Sequence, residues 1–173
     1  MTPAEFQGLV NRFAVGPAMP VAGQRHVYLW HGDPDSLRAM LPPAATCCLD
    51  LHALVRALPR KPEDEQAARQ LLAQTLEQAL QTAGSAASGQ QFVLVTGCDL
   101  LMRYRVSMGA MFRAASDSRM LILVAPAYRE PAQPLPAYVD FRADATFGFL
   151  RSWLENGAVI EQAAGEPPED VSR

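Results

Sequence analysis

Phe92-Val93-Leu94-Val95-Thr96-Gly97-Cys98-Asp99 is the stretch whose reading decides the fold. Four apolar residues run without interruption and then break into a polar turn. A strand that is apolar at every position must be covered on both faces. That is the habit of a parallel sheet sandwiched by helices, not of a sheet with one face in water. Met120-Leu121-Ile122-Leu123-Val124 repeats the pattern, and His26-Val27-Tyr28-Leu29-Trp30 adds a β-branched and aromatic strand.

Helical periods fill the gaps between these strands. Phe6, Leu9, Val10 and Phe13 recur at helical spacing behind Thr2, Pro3 and Glu5, which supply a capping box. Asp33 before Pro34 predicts a helix start that carries Leu37, Met40 and Leu41 inward. A strand is expected at about 46–49, followed by a helix facing inward through Leu51, Leu54, Val55 and Leu58. A longer helix over about 63–82 has Ala68, Leu71, Leu72, Leu76, Ala79 and Leu80 as its stripe. Met108, Met111, Phe112 and Ala115 mark another helical face. Tyr138, Val139 and Phe141 read as a further strand. A helix over about 144–155 presents Phe147, Leu150, Trp153 and Leu154, with Gly157 as its C-cap, and Ala158-Val159-Ile160-Glu161 reads as a last strand. The expectation is one domain: residues 1–23 an N-terminal helix and loop, 24–162 the α/β core, 163–173 a flexible tail.

Composition agrees with a globular chain. Of 173 residues 49% are hydrophobic and 19% charged, enough apolar material for a real core. The net charge of −3 removes the overall basic field that drives non-specific nucleic-acid binding. Three cysteines, two of them adjacent (Cys47 and Cys48), fit neither a disulfide framework nor metal-ligand spacing. No apolar run is long enough for a membrane helix and no signal pattern opens the chain, so a cytoplasmic location is expected.

Sites in open parallel sheets gather at the carboxyl ends of the strands, which singles out two turns. At His31-Gly32-Asp33-Pro34-Asp35-Ser36 the turn stands where a phosphate-binding loop would stand. It has one glycine, no lysine and two carboxylates, which repel phosphate. At Thr96-Gly97-Cys98-Asp99 the strand ends like a magnesium-binding segment, but Thr96 occupies the position of the acid and Asp99 comes three residues later. His31, Gly32, Asp33, Thr96, Gly97 and Asp99 are therefore read as a vestigial site, with neither cofactor nor metal expected. Asp99 is expected to cap a helix, Cys98 to be a buried inert thiol, and none of His26, His31 and His52 has a partner at ligand or triad spacing. No catalytic residue is assigned.

Between positions 103 and 119 stand four arginines and one acid, Asp117. Arg103, Tyr104, Arg105, Arg113 and Arg119 are the candidate interaction surface, suited to an acidic protein face or a nucleic-acid backbone.

Taken in order, three blocks carry a family resemblance: 26–32, 48–58 (Cys48-Leu49-Asp50-Leu51-His52-Ala53-Leu54-Val55-Arg56-Ala57-Leu58), and 92–101 leading to 118–126. The layout over roughly 24–126 resembles the small accessory proteins of bacteriophage-exclusion (BREX) defence systems, of the BrxB and BrxF type. The resemblance implies a three-layer α/β fold with a mostly parallel, P-loop-NTPase-like sheet. It also implies a place among other protein subunits: a large ATPase, a methyltransferase and an alkaline-phosphatase-like protein. The chain departs from the BrxF type in lacking the phosphate-loop glycines and lysine and in carrying Thr96 for the acid, so ATPase activity is not carried over. Its proline-rich C-terminal part has no counterpart in the BrxB type. The function expected is a non-catalytic adaptor in a phage-defence or related DNA-transacting complex. The rivals are a nucleotide- or metal-binding switch or enzyme using the two turns, and a direct DNA-binding module.

Overall fold

A computed structural model describes residues 1–20, 25–58, 62–83, 89–125 and 137–162, with side chains in the last segment described from Asp144 onward. The elements are α1 (Pro3–Val15), β1 (Val27–His31), α2 (Pro34–Met40), β2 (Thr46–Asp50), α3 (Leu51–Arg56), α4 (Glu65–Ala83), β3 (Gln91–Thr96), α5 (Asp99–Arg103), α6 (Gly109–Ala114), β4 (Arg119–Ala125), α7 (Ala137–Arg151) and β5 (Val159–Glu161). Short 3-10 turns precede β2 and β5.

The five strands form one sheet in the order β2-β3-β4-β1-β5, and every pairing is parallel. The unbroken apolar strands hold its middle: β3 is buried from Gln91 to Val95 and β4 from Met120 to Ala125. Alternation along β1 places Tyr28 and Trp30 on one face and His31 on the other. Phe6 of α1 meets the rings of Tyr28 and Trp30 at 5.6 and 6.2 Å, while His31 stacks on Phe147 of α7 at 4.0 Å. Helices therefore cover both faces. Phe13 of α1 also reaches Phe92 of β3, at 5.3 Å, so one helix spans the sheet from β1 to β3. Fully buried rings such as Phe6 contribute about 3–5 kcal/mol each against truncation to alanine.

Local signals explain most boundaries. The capping box at Thr2 and Glu5 forms as the spacing predicts, and Asp33 caps α2 through its carboxylate. Met108 and Met111 are buried in the core.

The C-terminal third differs from expectation. Residues 138, 139 and 141 are helical, because α7 begins at Ala137 and not near 144. Tyr138, Val139 and Phe141 have β-branched and aromatic content typical of a strand, but over too short a window to distinguish it from a helix turn. The helix also ends at Arg151, before the expected 155. Trp153 is 40% exposed instead of inward, and Gly157 lies within the turn before β5 rather than capping a helix. The tail expected over 163–173 lies outside the described residues. Among the described residues, no helix is long and apolar enough to cross a membrane.

Candidate functional site

The sheet order creates a switch point. From β1 the chain crosses to β2 at one edge; from the adjacent β4 it crosses past β1 to β5 at the other. Ligand crevices in open α/β sheets open at the carboxyl ends of strands where connections diverge in this way. A cleft of about 580 Å³ lies there, bounded by Thr96 at the end of β3, Gly97 after it, Val124 and Ala125 of β4, and Pro34 at the start of α2.

At the first turn two backbone donors have internal acceptors. The backbone N–H of Asp33 donates to Oε1 of Gln162 at 2.8 Å, and that of Ser36 donates to Oδ2 of Asp33 at 3.0 Å. The Gln162 backbone N–H in turn donates to the His31 carbonyl. Donors that would face an anion at a helix start are spent on the protein's own acceptors. Gly32 has a packing reason to be glycine: a Cβ there would stand 2.6 Å from Oε1 of Gln162 and 2.7 Å from its Cβ. His31 lies against Phe147 and not in the cleft wall, and burial holds its imidazole below the ordinary histidine range despite the opposing charges of Glu161 and Asp144.

The second turn brings together residues far apart in the chain. Asp99, the first residue of α5, accepts from Nε2 of His52 on α3 at 2.7 Å. Its carboxylate does not cap the helix; Cys98 takes the cap position with no side-chain bond. Asp50, the last residue of β2, caps α3 by accepting the His52 backbone N–H at 2.9 Å. Gly97 makes this approach possible. Its φ is +71°, and a Cβ there would stand 2.6 Å from Cδ2 of His52. Cys98 is buried and burial pushes its thiol up to about 12, so it is inert at neutral pH.

Of the residues singled out in the sequence, Thr96, Gly97 and Asp99 share the cleft, whereas His31 does not line it and Gly32 and Asp33 turn to Gln162 and Ser36. His52, Arg38 and Thr146 line it as well and were not singled out. His52 pairs across 47 residues of sequence, a distance at which no spacing rule operates. Among the described residues, no three His, Cys, Asp or Glu side chains converge as a metal site.

The arginines divide between the two ends of α4. Arg119 is held inward: its guanidinium donates to the Leu80 carbonyl at 3.3 Å and to Oε1 of Gln91 at 3.4 Å. Arg113 pairs with Glu77 at 3.0 Å. At the other end, Arg69 donates to the Tyr104 carbonyl at 2.8 Å. Arg69 and Leu80 are eleven residues apart, about 16 Å along a helix. Arg103 lies over the Tyr104 ring, 5.5 Å from its centroid. The pair flanks a second groove, of about 570 Å³, with Leu58, Leu71 and the acidic start of α4. Arg103 and Arg105 are exposed and have no ion-pair partner among the described residues; Arg105 has φ +49°.

No protein-family model matches the chain, and no curated protein or solved structure matches it either.

Proposed function

We propose that the chain is a P-loop-like α/β core that has given up its phosphate site and serves as a non-catalytic adaptor. Its setting is a cytoplasmic phage-defence assembly of the BREX kind, or a related DNA-transacting complex. One observation carries the loss of nucleotide chemistry. The N–H groups at the start of α2 are bonded to Gln162 and to Asp33, and the Asp33 carboxylate lies where phosphate charge would be. A polyphosphate there would have to displace internal bonds and then face an acid.

The contact surface narrows from five residues to Arg103, Tyr104 and Arg105. Arg113 and Arg119 are engaged within the protein, whereas the exposed guanidiniums at 103 and 105 are free to meet a partner's carboxylates. The partner is another protein subunit, and DNA is reached through the complex. The test is co-purification from the native host with Arg103→Glu/Arg105→Glu against the unmodified chain. Loss of partner subunits from a folded variant is the expected result, and their retention overturns the assignment.

A further inference from the structure

A buried hydroxyl remains unexplained by the adaptor role. Thr146 of α7 is 5% exposed, and its Oγ1 has no hydrogen-bond partner among the described residues. Buried hydroxyls are normally satisfied, and an orphan deserves a cause. Thr146 belongs to the wall of the cleft at the carboxyl ends of β3 and β4. Threonine in a helix has two accessible χ1 wells, so its hydroxyl can change its aim without moving the helix.

The rest of the wall has a definite chemistry. Thr96 contributes a second hydroxyl. Asp99 has one oxygen on His52 and the other available, and His52, with Nε2 on Asp99, keeps Nδ1. Arg38, the cleft's cation, already pairs with Asp35 at 2.8 Å. Val124 and Ala125, both buried, close the floor of the cleft, and Pro34 adds an apolar edge. The site offers hydroxyls, carboxylate oxygens and an imidazole nitrogen beside a small apolar surface, and its two carboxylates, Asp35 and Asp99, outnumber its one arginine. It suits a ligand that is uncharged, rich in O–H donors and partly flat.

We propose that this cleft binds a ribonucleoside moiety and discriminates against its phosphorylated forms. The vicinal ribose hydroxyls donate to the Asp99 carboxylate, a pairing that carboxylates at sheet ends commonly make. The base lies against Pro34 over the cleft floor, and Thr146 and Thr96 bond its polar edge. A volume of about 580 Å³ is in the range of small-molecule sites. This goes beyond the adaptor reading: occupancy of the cleft would report a small-molecule state to the assembly.

The test is calorimetric titration and thermal melting of the full chain with adenosine, uridine, 2′-deoxyadenosine, ATP with magnesium, and inorganic triphosphate. The expected results are a rise in Tm with the ribonucleosides, binding of 2′-deoxyadenosine weaker by about tenfold or more, and no shift with ATP or triphosphate. Thr146→Val should melt at the same temperature or higher without ligand, because it removes an orphan hydroxyl, yet lose the nucleoside shift; Thr146→Ser should retain it. Asp99→Asn should lose the preference for ribose. No shift with any nucleoside at millimolar concentration, an undiminished shift in Thr146→Val, or ATP binding as tightly as adenosine would each overturn the proposal.

Discussion

The side-chain amide of Gln162 fills the space that a side chain at position 32 would need, and its oxygen accepts the backbone N–H of Asp33. A glycine that resembles a remnant of a phosphate loop is thus held by the packing of Gln162, which follows β5, against the end of β1. Gly32→Ala would place a methyl carbon 2.6 Å from that amide oxygen. Overpacking of this kind costs about 1–3 kcal/mol. The expected outcome is a lower urea midpoint at unchanged m-value. A midpoint equal to that of the unmodified chain would mean that Gln162 moves away without cost.

Gly97 has two constraints: a left-handed backbone and the His52 ring against it. Gly97→Ala should therefore cost more than a simple change of φ, about 2–4 kcal/mol in all. It should also separate His52 from Asp99. Denaturant unfolding measures the first effect, and the histidine ring resonances of the variant measure the second. An unchanged His52 signal would contradict the account of why this turn brings the two together.

Acid should weaken the fold through buried histidines. His26 is 1% exposed, with Nε2 donating to the Ala18 carbonyl at 2.8 Å and Nδ1 3.2 Å from the Tyr28 hydroxyl. Burial lowers its pKa below the ordinary 6.5, outweighing the Ala18 bond, and burial lowers that of His31 as well. In the window between the folded and unfolded values the unfolded chain binds more protons. Stability is thus fully present above about pH 6.5 and falls as pH drops through that value toward the lower folded pKa. Urea midpoints at pH 7.5 and 5.5 should differ in that direction. Equal midpoints would show that these rings are hydrated in the native state.

Much of the fold was legible because its signals are local. The apolar runs at 92–95 and 120–124 could only be central strands, and Asp33 before Pro34 could only begin a helix. Residues 138–141 misled because three apolar residues in four positions fit either period, and only the continuation to Arg151 makes them helical. The site was half legible. Thr96, Gly97 and Asp99 follow from the strand-end rule, but His52 and Thr146 reach the cleft through β2–β3 pairing and the docking of α7. Those depend on sheet order, which no stretch of the chain states by itself. The arginines were countable but their roles were not, since only packing decides that Arg119 turns to the Leu80 carbonyl while Arg103 stays exposed.

In the proposed function, Arg103 and Arg105 hold the chain to other subunits. The most direct measurement is quantitative mass spectrometry of proteins co-purified from the native host, comparing the unmodified chain with Arg103→Glu/Arg105→Glu. Circular dichroism and melting of both chains control for folding, and Arg113→Glu controls for charge elsewhere on α4 and α6. Defence-complex subunits should come with the unmodified chain and with Arg113→Glu, and fall by about tenfold or more with the double variant. Recovery of the same subunits in the same amounts by the double variant would contradict it.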